Sequence, residues 1–169
     1  MGEISLSRPV EHPIIHLMIA VLIAGCAPQQ QESASGSGHA HLGVEEAIMA
    51  DGYGLPLRRW DAPERPQALV LALHGFGDYS NGFATLGPYL ATQSVLTFAY
   101  DQRGFGATAR RGLWGGEEHL IADLKTLTKL LRERYPGLPL FLLGESMGGA
   151  VVMAAAVQAD MGADGIVPS

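Results

Sequence analysis

The chain of 169 residues contains one cysteine, Cys26. No disulfide can form within it, so its core must hold the fold. Positive charge is scarce: 11 Lys and Arg stand against 17 Asp and Glu, a formal net charge of −6. An acidic surface repels a phosphate backbone, which argues against nucleic acid as a partner. No apolar run reaches the ~20 residues that an ordinary bilayer-spanning helix needs. There is no phosphate-binding loop, no dinucleotide fingerprint and no metal-ligand cluster, so no cofactor and no metal is expected. His39 and His41 stand close together without a further cysteine or carboxylate cluster, which fits a solvated linker rather than a metal pair. What the chain does hold is 47% apolar residues and 22 glycines, the composition of a globular protein with many tight turns.

The longest apolar stretch, Ile14 to Gly25, has the length of the apolar region of a secretory signal. It ends in Ile23-Ala24-Gly25-Cys26, which resembles a bacterial lipobox. Small residues at 24 and 25 open the backbone to a peptidase, and the Cys26 thiol would accept a diacylglycerol. The leading segment is poor in positive charge, with Arg8 set against Glu3 and Glu11. This pattern predicts a lipoprotein signal peptide over 1–25 and a lipidated cysteine with a flexible linker over 26–43. Two or more acyl chains would hold the protein on a membrane, since each buried CH₂ contributes ~0.8 kcal/mol. Ala27, in place of Asp, resembles lipoproteins of the outer membrane, so a periplasm-facing anchor in the bacterial cell envelope is expected. Ala27 to His41 is rich in Gln, Ser and Gly without apolar period and reads as a tether.

From residue 44 to 169 strand and helix signals alternate. Glu45–Ala50 and Leu55–Trp60 read as short strands around an Asp51-Gly52 turn. Ala68–His74 is a continuous apolar run suited to a strand buried on both faces; Val95–Tyr100 reads as the next strand, and Leu138–Leu143 as another buried one. Phe83, Leu86, Tyr89 and Leu90 recur at helical spacing, with Gly87-Pro88 predicting a short or kinked helix. Glu117–Arg134 reads as a long helix with Leu120, Ile121, Leu124, Leu127 and Leu131 on one face. Ala150–Ala159 reads as an Ala-rich helix, and Gly165-Ile166-Val167 as the start of another strand. This order predicts an α/β fold, a mostly parallel sheet with helices on both faces. Chemistry in such sheets gathers at the carboxyl ends of the strands. The loops His74–Asp78, Asp101–Gly106 and Gly144–Gly148 all fall there.

Gly144-Glu145-Ser146-Met147-Gly148 is a G-x-S-x-G motif between a predicted strand and a predicted helix. That context marks a nucleophile on a sharp turn, with glycines where side chains would collide. The helix behind Ser146 would favour a developing anion. The bland alternative is a Gly-rich turn with a capping serine. Together, His74-Gly75-Phe76-Gly77, Asp101-Gln102-Arg103-Gly104-Phe105-Gly106 and Gly144-Glu145-Ser146-Met147-Gly148-Gly149 resemble the monoacylglycerol lipase and lysophospholipase-like branch of the α/β-hydrolases, which is of the serine aminopeptidase S33 type. The resemblance runs from about Tyr53 to Val167. It implies a serine hydrolase of carboxylic esters, with small-molecule or lipid esters as substrates and Ser146 as nucleophile. It also implies an oxyanion hole from the N–H groups of Phe76 and Met147, with Gly75, Gly144 and Gly148 in support. In that family the triad histidine follows the serine, so the resemblance makes His74 a loop-supporting residue and not the base. It gives Asp101 and Arg103 the task of bracing their loop. Glu145 is expected to be partly buried and poorly placed to orient a histidine. His119 is expected in the solvated first turn of its helix.

After Ser146 there is Asp160 and Asp164 but no histidine. The triad acid and histidine expected of the family are not found there, and Val167-Pro168-Ser169 reads as a cut. Without a base, Ser146 is a weak nucleophile, and this chain alone is expected to be inactive or nearly so. Two alternatives stay open: a serine aminopeptidase of the same fold, and a non-catalytic lipid-anchored envelope protein that binds a partner.

Overall fold

A computed structural model describes residue 31, residues 38–158 and residues 160–169. Cys26, the apolar stretch before it and most of the tether lie outside the described residues. The described chain forms one sheet of seven strands, ordered β1-β2-β3-β5-β4-β6-β7. The strands β1 (His41–Leu42), β2 (Glu46–Ile48) and β3 (Gly54–Trp60) form an antiparallel meander at one side. β3 pairs antiparallel with β5 (Val95–Tyr100). β5, β4 (Ala68–Leu73), β6 (Leu140–Gly144) and β7 (Gly165–Pro168) then run parallel. The sheet is mostly parallel, as expected.

Alternation along the central strands sorts the core into two layers. Leu69, Leu71 and Leu73 of β4 face one side, with Leu96 and Phe98 of β5 and Leu140 and Leu142 of β6. Two helices cover them, α2 (Glu117–Arg134) and α3 (Met147–Gln158). α2 contributes Leu120, Leu124, Leu127 and Leu131, each almost wholly buried, at roughly 1.5–3 kcal/mol apiece relative to exposure. Glu117 and Glu118 in its first turn and Arg132 and Arg134 in its last complement the helix dipole. On the opposite face Ala72 and Ala99 pack with Phe83, Trp60 and Leu86. The covering elements there are a 3₁₀ turn (Ser80–Phe83) and α1 (Leu86–Thr92).

Some boundaries differ from the sequence expectation for physical reasons. α1 is short, as one of the two expected alternatives, and begins at Leu86 rather than Phe83; it is uninterrupted because Pro88 sits in its first turn, where the missing N–H has no intrahelical acceptor to lose. α3 begins at Met147 rather than Ala150. Gly148 and Gly149 are poor helix formers, but the close approach to β4 requires one of them: a Cβ on Gly148 would lie 2.3 Å from the Leu73 carbonyl oxygen. β6 begins at Leu140, after Pro139, whose carbonyl still accepts from the Leu69 N–H at 2.7 Å. The sheet starts at His41, so the last residue of the expected tether is a strand residue, paired with Ile48. Gln31 is buried as well.

A buried ion cluster ties the meander to α2. Arg103 donates Nε to Asp123 Oδ2 at 2.6 Å and Nη2 to Asp123 Oδ1 at 2.9 Å. Its Nη1 donates to Asp51 Oδ2 at 2.6 Å, and its guanidinium lies 4.3 Å over the Tyr53 ring. Burial opposes the Arg103 charge, but the two carboxylates outweigh it and raise its pKa. Burial pushes Asp123 above the usual carboxylate range despite Arg103. For the more open Asp51, burial is outweighed by hydrogen bonds from Arg103 and the Tyr53 N–H, and its pKa is lowered.

Candidate active site

The three loops singled out in the sequence meet at the carboxyl ends of β4, β5 and β6. Ser146 stands between β6 and α3 with φ of 49°. That left-handed conformation is rare for a residue with a Cβ and costs ~1–2 kcal/mol. The turn is held on every side. Glu145 N–H donates to the Leu73 carbonyl at 3.0 Å, Gly148 N–H to the Glu145 carbonyl at 2.8 Å, and Ser146 N–H to the Ser169 carbonyl at 2.7 Å. Gly144 permits the crossing: a Cβ there would meet backbone atoms of Gly148 and Gly149 at 2.5 Å. The result is an exposed serine at the start of a helix whose first N–H groups have no intrahelical acceptors.

The His-Gly loop lies against this turn. A Cβ on Gly75 would sit 3.5 Å from Ser146 Cβ and 3.6 Å from the Glu145 carbonyl oxygen. Phe76, Ser146 and Met147 line one cavity of about 1000 Å³. Its other walls come from Phe105 and from the 111–114 stretch, with Leu113 and Trp114. Phe76 is 75% exposed and stacks edge-on against Phe105 with centroids 5.5 Å apart.

His74 is fully buried, and both its ring nitrogens are engaged. Nδ1 lies 2.8 Å from the Gly75 carbonyl oxygen, and Nε2 accepts the Gln102 N–H at 3.0 Å. Burial lowers its pKa below the usual histidine value. These contacts join the His-Gly loop to the loop after β5. Asp101, also buried, accepts the Ser80 N–H at 2.9 Å on one oxygen and the Ala107 N–H at 2.8 Å on the other. Asp101 and Arg103 thus hold their loop to its neighbours. Glu145 departs from expectation: it is exposed rather than partly buried, because the elbow lifts residues 145 and 146 together out of the sheet. His119 is half-buried rather than solvated, with Nδ1 3.0 Å from the Gly115 carbonyl oxygen in the first turn of α2.

A serine on a strained strand-to-helix turn, beside a His-Gly loop at the ends of parallel strands, is the architecture of a hydrolase elbow. Residues 64–169 match the family described as serine aminopeptidase, S33. The chain belongs to this family of α/β-hydrolases. It is 34% identical over 112 residues to the monoglyceride lipase of Homo sapiens, covering 66% of this chain and 37% of that protein. With the monoglyceride lipase of Saccharomyces cerevisiae it shares 38% identity over 93 residues, covering 53% of this chain and 30% of that one. The solved structure of a soluble variant of monoglyceride lipase from Saccharomyces cerevisiae, in complex with a substrate analog, superposes with a TM-score of 0.65 at 26% identity, over 84% of this chain and 47% of that one. A lipase in open form gives the same TM-score and identity over 73% of this chain and 42% of that one. The S33 chain therefore spans little more than a third of its human relative.

Two parts of this S33 site were not legible as site residues. The rim stretch Arg110–Trp114 has no motif. Asp51 read as a hairpin turn residue, yet it is a partner of Arg103 from 52 positions away.

Proposed function

We propose that the chain carries the nucleophile of a serine hydrolase of carboxylic esters, and that Ser146 takes the acyl group of lipid esters such as monoacylglycerols and lysophospholipids. The positive φ of Ser146 at the mouth of a largely apolar-walled cavity carries this reading. Ser146 Oγ attacks the ester carbonyl carbon, its proton passes to a general base, and the alcohol leaves to give an acyl-enzyme that water then hydrolyses. The N–H groups of Phe76 and Met147 face the oxyanion, where losing one such donor typically costs ~10²–10³ in rate. His74 supports the oxyanion loop and is not the base, because both of its nitrogens are spent on loop contacts. No histidine follows His119 in these residues. On this reading they turn over esters weakly or not at all by themselves, and the base comes from elsewhere.

The apolar cavity walls and the monoglyceride lipases among the relatives favour esters over the peptide bonds suggested by the family's description. Cys26 is proposed as the acylated anchor, holding the protein on the periplasmic side of a bacterial outer membrane. Labelled palmitate incorporated into the wild type but not into Cys26→Ser tests the anchor. The chemistry is tested with a fluorophosphonate probe and with p-nitrophenyl acyl esters set against prolyl amides, on a full-length S33 relative carrying this segment. One adduct on Ser146 with ester turnover is expected. Amide turnover above ester turnover, or labelling that persists in Ser146→Ala, would overturn it.

A further inference from the structure

The first described residue, Gln31, is bonded to the rim of the Ser146 cavity. The N–H of Gln31 donates to the Trp114 carbonyl at 3.0 Å. Its side-chain Nε2 donates to the carbonyls of Leu113 at 3.0 Å and Arg110 at 3.3 Å. Gln31 is only 8% exposed. Arg111, Leu113 and Trp114 of that same stretch line the cavity that holds Ser146. The contact therefore fixes the incoming chain to one lip of the site.

Chain length turns this contact into an orientation. Cys26 stands five positions before Gln31, and five residues reach at most ~18 Å fully extended. Past Gln31, the next described main-chain attachment is Gly38, whose N–H donates to the Ala50 carbonyl at 2.9 Å. That point is twelve positions after Cys26, a reach of ~40 Å, which matches the full width of a domain whose radius of gyration is about 14 Å, whereas ~18 Å is about half that width. A tether of the longer reach leaves the domain free to turn, and one of the shorter reach does not. The rim also has the composition of a lipid–water boundary. In a chain of net charge −6, Arg110 and Arg111 stand side by side and exposed on it. The exposed rings of Phe76 and Tyr79 line the same cavity as Arg111. Cations beside aromatic and apolar side chains suit a headgroup layer.

We propose that Gln31 is a clip that turns the mouth of the Ser146 cavity toward the bilayer holding the chain's own N-terminus, so that acyl esters enter from the lipid interface. The orientation rests on the Cys26 anchor, and its value to the enzyme rests on the hydrolase reading.

The test uses the full chain in its native membranes, reconstituted with a lipid carrying a quencher in the headgroup region. The Trp114-dependent quenching is the difference between the chain and its Trp114→Phe variant, so Trp60 cancels. The clip predicts quenching in the native chain. It also predicts its loss in Gln31→Ala and in a chain with a twelve-residue Gly-Ser insertion between residues 28 and 29. The same insertion between residues 34 and 35 should leave it unchanged. Neither insertion replaces a residue of the described core, so both report on tether length without depending on a core substitution. Quenching that survives Gln31→Ala or the insertion before Gln31 would overturn the proposal, as would absent quenching in the native chain or its recovery in the soluble fraction. Fluorophosphonate labelling of the full-length S33 relative is read separately, so failure of the hydrolase reading is distinguishable from failure of the clip.

Discussion

The main-chain N–H of Gln102 donates to Nε2 of His74 at 3.0 Å, and the Gln102 side chain returns a bond to the His74 carbonyl at 2.7 Å. This pairing assigns the ring proton to Nδ1, which donates it to the Gly75 carbonyl at 2.8 Å. The imidazole is therefore a neutral strut between the oxyanion loop and the loop after β5, with Phe105 edge-on at 5.4 Å.

That state has a pH signature. Burial lowers the His74 pKa below its ordinary 6.5. As pH falls below about 6.5 the unfolded chain takes up a proton that the native one refuses. The stabilisation from His74 is thus complete above that pH and lost as pH falls toward the lowered native value. Urea unfolding midpoints measured from pH 7.5 to 5 should fall faster for the wild type than for His74→Gln. Parallel profiles would show that His74 is not held neutral.

Ser146 should trade stability for chemistry. Its positive φ costs ~1–2 kcal/mol, partly offset on replacement by the ~0.5–1 kcal/mol of extra backbone entropy that glycine loses. Ser146→Gly should therefore be more stable than the wild type by roughly 0.5–1 kcal/mol and should take no fluorophosphonate. Ser146→Ala, which keeps the strain, should lose labelling without gaining stability. Denaturant titration of the three chains checks this.

Two glycines with positive or crowded surroundings should behave differently. A Cβ on Gly148 would lie 2.3 Å from the Leu73 carbonyl oxygen, which belongs to a central strand and cannot yield. Gly148→Ala should cost ~3 kcal/mol and disturb Ser146 reactivity together with stability. At Gly112, with φ of 89° and nothing within 4 Å of a Cβ, alanine should cost only ~1–2 kcal/mol of backbone strain. Thermal unfolding of both variants separates crowding from conformation.

Arg103→Ala should be among the most damaging substitutions outside the apolar core. It strips the partner from Asp123, which is 3% exposed, and from Asp51 on the meander. Removing one member of such a buried pair costs ~3–5 kcal/mol. Arg103→Lys should recover only part of this, since an ammonium cannot present the planar fork that meets both carboxylates. Urea unfolding of the two variants gives the comparison.

The central sheet and α2 were legible because their signals are long and local. Ala68–Leu73 is an unbroken apolar run, Val95–Tyr100 is broken only by Thr97, and α2 carries its apolar face and dipole-matched ends in one stretch. The elbow was legible because steric necessity writes glycine at 144 and 148. Less could be read where the deciding contact is distant in sequence. The start of α3 was obscured by Gly148 and Gly149, whose reason lies on β4. The side-chain exposure of Glu145 depends on how sharply the elbow rises. β1 was hidden because a two-residue strand has no periodicity. Nothing near residue 31 announces a partner at 110–114.

Strand order also governs how the chain is made. β4 is finished when Leu73 leaves the ribosome, and it finds its first parallel neighbour in β5. Its other edge, where Leu69 meets Leu140 and Leu71 meets Leu142, has no partner until β6 has been synthesised after the whole of α2. Throughout that interval the nascent chain presents an open, leucine-rich strand edge, the kind that other chains add to. The strand at the heart of the finished sheet is thus the one that most needs shielding by chaperones during translation.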